Sequence, residues 1–196
     1  GHEWRSVEHT GSGTVNTIAK RADGTTFMVH ANWLLAADGA NSRVRTALGI
    51  DMVGPEKVQD FINAYFELNL REHIAQPAKL YWITEPDAAG TFIAHHIDKR
   101  WVYNVPIFEP WEQASDYTPA VLAERIKTAL GLPDGAVEVQ STSVWRMTVQ
   151  VADRWRKGRV FLVGDAAHRF PPTGGLGMNS GIADAHNLAW KLAHVI

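Results

Sequence analysis

The stretch VGDAAHRFPPTGGLGMN, residues 163–179, connects a short apolar run to a helical pattern. The run from Arg159 to Val163 lies between glycines at 158 and 164, which is typical of a buried strand. An acid follows at Gly164-Asp165, then two prolines, then glycines at 174, 175 and 177. We interpret this strand, loop and helix as part of a ligand site. A glycine-rich turn that only reverses the chain is the alternative.

The helix that the pattern predicts from about Gly177 gives this loop its chemistry. A helix N-terminus carries unpaired N–H groups and the positive end of the helix dipole. Glycines allow a ligand to approach that backbone closely, so the site favours a group that is anionic or becomes anionic during a reaction. The carboxylate of Asp165 can only accept hydrogen bonds, which suits hydroxyl groups. These residues predict a cofactor with hydroxyls and a charge-accumulating ring, without identifying it.

The composition narrows the function classes. The chain has 196 residues and a formal net charge of -2, which does not favour a nucleic-acid partner. It contains no cysteine, which excludes thiolate chemistry and favours a reducing compartment, and so a cytoplasmic location. No apolar run approaches the roughly 20 residues that span a bilayer, so we expect no membrane partner.

Secondary-structure patterns predict a mixed chain. Residues 61–70, FINAYFELNL, alternate between apolar and polar positions and predict a half-buried strand. Further strands are predicted at 80–83, 91–97 and 101–108, which together indicate an antiparallel sheet. Thr118, Pro119 and Gly131 delimit a predicted helix, and a turn at Asp23-Gly24 predicts a hairpin. In the last helix, one face carries Met178, Ile182, Ala185, Ala189, Leu192 and Ile196.

Two long segments resemble the motifs of one enzyme family. GRVFLVGDAAHRFPPTGGLGMNSGIADAHNLAWKLA, residues 158–193, resembles the GD motif of flavin-dependent aromatic hydroxylases of the p-hydroxybenzoate and phenol hydroxylase type. LLAADGANSRVRTALGI, residues 34–50, resembles the DG motif of that family. The resemblance implies an α/β (α+β) fold. Residues 1–54 and 149–196 would belong to a Rossmann-like FAD-binding domain. Residues 55–148 would form an inserted antiparallel-sheet domain, with the aromatic substrate between sheet and flavin.

The resemblance also assigns cofactor contacts. Asp165 of Gly164-Asp165 would bind the FAD ribityl chain, and Pro172 would lie beside the isoalloxazine and shape the substrate pocket. The turn through Gly174, Gly175 and Gly177 would present the amides of Met178 and Asn179 to the N1–C2=O edge of the ring. Asp38 and Gly39 would contribute to FAD and NAD(P)H contacts. Arg43 and Arg45 are candidates for the pyrophosphate of the nicotinamide cofactor, with surface solvation as the alternative for both.

The implied reaction is a hydroxylation. NAD(P)H reduces FAD, molecular oxygen adds at C4a to give a hydroperoxide, and a phenolic ring takes its distal oxygen. Tyr65, His95, His96 and Tyr103 are candidates for the substrate pocket, and either histidine could bond a phenol oxygen. The two histidines are neighbours on a strand, so their side chains are expected on opposite faces. No metal site is expected, and the oligomeric state, a homodimer included, stays open.

The sequence departs from the family at the fingerprint Gly-x-Gly-x-x-Gly. GSGTVN at 11–16 lacks the third glycine, and GGLGMNSG lies inside the GD motif. The chain begins at Gly1 and ends at Ile196 within an apolar helical repeat, so we expect a fragment whose fingerprint precedes Gly1.

Two other interpretations stay open. WVYNVP at 101–106 faintly resembles the Trp-x-Trp-x-Ile-Pro motif of flavin-dependent halogenases, although tyrosine and valine replace the second tryptophan and the isoleucine. The chain could instead be a non-catalytic, aromatic-binding fragment without bound FAD.

Overall fold

The chain folds into two compact units. A computed structural model describes residues 1–10, 15–21, 23–71 and 73–196. One unit, here called unit 1, comprises Gly1–Glu56 and Thr148–Ile196, and unit 2 comprises Lys57–Met147. The assignment of these two parts of the chain to cofactor and substrate stays a prediction. Within the described residues, no helix combines the length and the apolar character that crossing a membrane requires.

The strands and helices follow each other in a mixed order. The strands are β1 His2–His9, β2 Val15–Arg21, β3 Thr26–Ala31, β4 Leu34–Ala36, β5 Met52–Val53, β6 Gln59–Glu67, β7 Leu80–Ile83, β8 Gly90–His96, β9 Arg100–Ile107, β10 Val139–Met147, β11 Gln150–Ala152, β12 Arg156–Lys157, β13 Val160–Leu162 and β14 His168–Arg169. The α-helices are α1 Arg43–Ala47, α2 Pro119–Leu130 and α3 Leu176–Ala193. The mixed α and β content predicted from the sequence is confirmed.

Unit 1 contains small sheets, and one of them includes a parallel pair. Its strand orders are β1-β2-β3, β14-β11-β5 and β12-β13-β4. Strands β4 and β13 run parallel, with Leu34 opposite Val160 and Ala36 opposite Leu162. The carboxyl ends of parallel strands meet at one edge of a sheet, which is where α/β folds bind ligands. The loops after β4 and β13 therefore start side by side.

The segment GSGTVN, which has two of the three glycines of the dinucleotide-binding fingerprint, is followed by a strand and not by a helix. Residues 11–14 of GSGTVN lie outside the described residues. The next described element is strand β2, which pairs with β3 in the hairpin predicted around Asp23-Gly24.

The sheet of unit 2 is antiparallel, as the sequence predicts, and has the strand order β10-β6-β9-β8-β7. On β6, Ile62, Ala64 and Phe66 are at most 3% exposed, whereas Tyr65 is 40% exposed. This alternation confirms the predicted half-buried strand. The buried side packs with Leu122 of helix α2 in one core cluster. We call the opposite side of this sheet the open face.

Helix α2 begins and ends as its sequence predicts. The Thr118 hydroxyl accepts a hydrogen bond from the Val121 N–H at 3.3 Å, and Pro119 occupies the first helical position. Gly131 ends the helix in the left-handed conformation, with φ of 65°. Leu122 and Ile126 are both 0% exposed, so this helix is held by its apolar stripe.

Truncation of Leu122 should therefore destabilise unit 2. We expect Leu122→Ala to lower the free energy of unfolding by about 2–5 kcal/mol, because the substitution leaves a cavity in the core. Val121→Ala, on the neighbouring residue that is 42% exposed, should change it by less than about 1 kcal/mol. Urea unfolding followed by tryptophan fluorescence measures both. Equal effects of the two substitutions would contradict the described packing.

Candidate functional site

The loop after β4 is organised by Asp38. Its carboxylate accepts hydrogen bonds from the Ser42 hydroxyl at 2.5 Å and from the Val44 N–H at 3.2 Å. Ser42 is buried and accepts a bond from the Arg45 N–H at 2.9 Å, so it caps helix α1. Asp38 and Gly39 thus sit in a tight turn at the carboxyl end of β4, and Asp38 serves first to shape that turn.

The loop after β13 begins with a 3₁₀ turn, Gly164–Ala166. The turn starts beside β4, because the Val163 N–H bonds the Ala36 carbonyl at 2.9 Å. Ala166 is buried, while Asp165 is exposed. Within the described part of the chain, the Asp165 carboxylate takes part in no hydrogen bond or ion pair. It is therefore available to a ligand.

Arg45 joins the two loops. It is 6% exposed, and its guanidinium donates to the Ala166 carbonyl at 3.0 Å and to the Ala40 carbonyl at 2.9 Å. Burial lowers the pKa of Arg45 from its ordinary value, the charge of Arg169 lowers it further, and Asp38 opposes the change. Arg169 also donates to the Ala40 carbonyl, at 2.5 Å, and to the Gln150 side chain at 3.0 Å. These buried bonds fix the spacing of the two loops.

This arrangement corrects the role predicted for Arg45. A guanidinium that is buried and bonded to two backbone carbonyls cannot also bind a pyrophosphate in solvent. Arg43 differs, since its side chain is 67% exposed and pairs with Glu3 at 2.5 Å. Arg43 remains a candidate for an anionic ligand.

Helix α3 begins with amides that no side chain caps among the described residues. Gly174 and Gly175 have φ of 88° and 65°, conformations that other residues rarely adopt, and the Gly175 N–H bonds the Pro172 carbonyl at 3.0 Å. Gly175 is the N-cap and supplies no side chain to the first helical N–H groups. Pro172, Met178 and Asn179 are exposed, and a Cβ placed on Gly177 would meet no described atom within 4 Å. The helix N-terminus is thus accessible to an anionic group.

Helix α3 is attached to the Gly164 turn through the half-buried Asp184 and the buried His168. One oxygen of the Asp184 carboxylate, Oδ2, accepts from the Gly164 N–H at 3.0 Å and contacts His168 Nε2 at 2.6 Å. His168 is 2% exposed, and its ring packs against Trp155 and Phe170. Sequence reasoning missed Ser42, His168, Arg169 and Asp184. The only sequence signal for Asp184 is its place on the face shared with Gly177 and Gly181.

The open face of unit 2 carries aromatic and amide side chains. Phe61 and Trp145 stack with ring centroids 4.6 Å apart, and Asn104 donates to Asn63 at 2.7 Å. Tyr65 lies on this face, opposite Ser141 of β10. The alternation of each strand separates these side chains from the core.

A cavity of about 830 Å³ lies at one end of this sheet. Tyr65, His95 and His96 line it together, along with Arg100. The sequence predicts opposite faces for these two neighbouring histidines, and they contribute to one cavity at a point where the register shifts between Ala94 and His96. Glu67 pairs with Lys99 at 3.4 Å and with Arg100 at 3.8 Å at the same place.

Tyr103 lies in the core of unit 2 and not at the cavity, which argues against its predicted role in the substrate pocket. It is 0% exposed, and its hydroxyl donates to the Ala88 carbonyl at 2.6 Å. Burial raises the pKa of Tyr103, with Arg125 opposing, so the hydroxyl keeps the proton that it donates. Tyr103 faces the α2 core because its strand parity matches that of Trp101 and Val105.

Comparison with known proteins shows the family to which the chain belongs. The family model described as FAD binding domain matches residues 1–196. The chain belongs to this FAD-binding family. The resemblance to flavin-dependent aromatic hydroxylases is thus confirmed.

Curated relatives of this chain are named as monooxygenases. The tetracenomycin A2 monooxygenase-dioxygenase of Streptomyces glaucescens is 38% identical over 195 residues, which cover 94% of this chain and 35% of the relative. The 2,4-dichlorophenol 6-monooxygenase of Delftia acidovorans is 32% identical over 205 residues, which cover 99% of this chain and 34% of the relative.

A solved structure of a hydroxylase with bound FAD is similar to this chain. Aklavinone-11 hydroxylase, crystallised with FAD and aklavinone, is 34% identical with a TM-score of 0.83, covering 99% of this chain and 37% of that chain. The chain thus spans about a third of the length of the relatives it matches.

The bridging role of Arg45 is testable by stability. Arg45→Met should lower the free energy of unfolding by about 2–4 kcal/mol, because buried carbonyls lose their donors. Arg43→Met should lower it by at most about 1 kcal/mol, since that ion pair is exposed to solvent. Thermal and urea unfolding measure both variants. If Arg43→Met were the more damaging, the assignment of roles to the two arginines would be wrong.

Proposed function

We propose that this chain is the part of an FAD-dependent aromatic monooxygenase that holds the flavin and presents a surface to the aromatic substrate. The observation that carries the proposal is the exposed carboxylate of Asp165, which has no partner among the described residues. Its turn is attached to helix α3, whose N-terminus has no capping side chain in the described part of the chain. The family match and the relatives named as monooxygenases support it.

The residues present fit a flavin. FAD has hydroxyls in its ribityl chain, which suit an acceptor-only carboxylate such as Asp165. Its ring system gains negative charge on reduction, which suits the free amides at the start of helix α3. Gly174, Gly175 and Gly177 leave that backbone uncovered for a flat ring. We therefore assign Asp165 to the ribityl chain, and the amides of Met178 and Asn179 to the ring edge.

When bound, FAD supplies the redox chemistry: it accepts electrons from NAD(P)H and activates molecular oxygen for transfer to an aromatic ring. The chain's own residues bind, orient and stabilise charge. Asp38 and Gly39 keep the loop after β4 in place next to the Gly164 turn, and Pro172 borders the exposed amides. Arg43, with its exposed guanidinium, is the candidate for the nicotinamide pyrophosphate.

The aromatic substrate would use the open face of unit 2. Its stacked Phe61 and Trp145 and its paired Asn63 and Asn104 offer ring surfaces with a few polar groups, as small-molecule sites usually do. The cavity lined by Tyr65 and the two histidines, about 830 Å³, lies within the range of volumes that hold multi-ring ligands. Tyr65, His95 and His96 are the proposed contacts for a phenol oxygen.

One assay separates the proposed reaction from the two rivals. The protein is mixed with FAD, its flavin uptake is measured, and it is then given NADH or NADPH, ¹⁸O₂ and a panel of phenols of increasing ring number, with and without chloride. We expect phenol-stimulated oxidation of the nicotinamide and one ¹⁸O atom in the product. A product that forms only with chloride would indicate a halogenase. Aromatic binding without flavin uptake or turnover would indicate a non-catalytic fragment.

Loss of the Asp165 carboxylate should weaken FAD binding. Asp165→Ala should raise the dissociation constant of FAD about 10- to 150-fold, which corresponds to about 1.5–3 kcal/mol for hydrogen bonds to a charged acceptor. Asp153→Ala, an exposed aspartate of the same unit that pairs with Arg154, is the control and should leave it unchanged. Quenching of FAD fluorescence during titration of the apoprotein gives both values. Equal affinity of the two variants would remove Asp165 from the site.

Tyr65 on the open face and Tyr103 in the core should respond differently to loss of the hydroxyl. Tyr65→Phe should raise the KM for the phenol about fivefold, because one hydrogen bond to the substrate is lost, without changing stability. Tyr103→Phe should lower the free energy of unfolding by about 1 kcal/mol and leave KM unchanged, because its hydroxyl serves Ala88. Steady-state kinetics and urea unfolding distinguish these outcomes. A KM effect of Tyr103→Phe alone would reverse the assignment.

A further inference from the structure

Asp184 and His168 have no part in the proposed contacts with FAD, yet Asp184 binds the backbone N–H of Gly164, the residue before Asp165. His168 is 2% exposed, and Trp155 and Phe170 pack on its ring. Because an ionised carboxylate only accepts hydrogen bonds, the 2.6 Å contact with Asp184 places the proton on Nε2 of His168. The other ring nitrogen, Nδ1, has no partner among the described residues.

Both donors to Asp184 reach the same oxygen. Oδ2 accepts from His168 Nε2 and, at 3.0 Å, from the backbone N–H of Gly164. Gly164 precedes Asp165, so the carboxylate of helix α3 holds the backbone next to the proposed ribityl ligand. Asp184 lies on the third turn of helix α3. The N-terminus of the same helix carries the proposed contacts with the flavin ring.

The same junction is closely packed. A Cβ placed on Gly181 would lie 3.3 Å from the Cα of Gly164, which shows that the helix and the turn approach backbone to backbone. Larger residues on either side would separate the two elements. Hydrogen bonds and small residues thus set one distance, that between the Asp165 turn and helix α3.

We propose that Asp184 and His168 are positioning residues that hold the N-terminus of helix α3 at a fixed distance from Asp165, so that both ends of the flavin site are preset before FAD binds. This inference rests on the proposed function. A preset site loses less conformational entropy on binding, and it keeps the helix dipole directed at the ring edge where charge gathers on reduction. Loss of the pair should therefore weaken FAD binding and weaken the reduced form more than the oxidised form.

Because both hydrogen bonds reach one oxygen of Asp184, two substitutions can separate loss of the charge from loss of the bonds. Asp184→Asn can place its single amide oxygen where Oδ2 lies and keep both hydrogen bonds, whereas Asp184→Ala keeps neither. His168→Gln can likewise keep an N–H donor toward Asp184, whereas His168→Leu cannot. His186→Gln, on the exposed side of the same helix, is the control.

Three measurements on the FAD-loaded protein and its apoprotein test the proposal: urea unfolding of the apoprotein, the dissociation constant of FAD, and the flavin reduction potential. We expect Asp184→Ala and His168→Leu to weaken FAD binding at least tenfold. We also expect a further tenfold loss for the reduced form, which lowers the two-electron potential by about 30 mV. Asp184→Asn and His168→Gln should stay within threefold of the wild type, as should the control.

The outcomes are distinguishable. A wild-type protein that takes up no FAD overturns the proposed function and this inference with it. A wild-type protein that binds FAD, with Asp184→Ala or His168→Leu equal to it in affinity and potential, overturns this inference alone. Loss of apoprotein stability with an unchanged potential would show a merely structural pair, which also overturns it. If Asp184→Ala does not fold, the two His168 variants give the same comparison.

Discussion

The site depends on a turn that is held on both of its flanks. Asp184 binds the N–H of Gly164, and Arg45 binds the carbonyl of Ala166, each at 3.0 Å. The residue between them, Asp165, keeps an exposed carboxylate. The two fixed backbone groups set the position of Asp165 and the direction of its Cα–Cβ bond. Its bonds to a ligand therefore cost less ordering than those of a residue on a loose loop.

The parallel pairing of β4 with β13 explains why residues so far apart in sequence reach this turn. Parallel neighbours bring their carboxyl ends to one edge, so the loop with Asp38 and the loop with Asp165 start together. Backbone carbonyls in such a crowded junction need donors, and a buried guanidinium has several in a fixed plane. Arg45 and Arg169 both reach the Ala40 carbonyl, which accounts for two cations close to each other in a partly buried place.

Sequence predicted what is encoded locally. Thr118 and Gly131 mark the ends of a helix through their own backbone preferences, and residues 61–70 show their faces by alternation. Alternation could not assign the faces of the strand that contains Tyr103. Consecutive residues there, Trp101, Val102 and Tyr103, are all buried, so apolar side chains lie on both faces. A register shift at His96 is likewise set by pairing with β9 and leaves no mark in the sequence. Arg45 and Ala166 are 121 residues apart, and their contact follows only from the fold.

The two units constrain their sites differently, and this bears on how one family can include relatives named for substrates as different as tetracenomycin A2 and 2,4-dichlorophenol. In unit 1, the proposed flavin contacts are backbone groups and one carboxylate, braced by buried side chains that tolerate little change. In unit 2, the open face alternates with the core along each strand, so Tyr65 can change while Ala64 and Phe66 keep packing on helix α2. Substitutions on that face, the proposed substrate surface, therefore change exposed side chains at small cost to the fold. Under the proposed function, differences in substrate choice would therefore accumulate in unit 2, while the braced turn of unit 1 would change little.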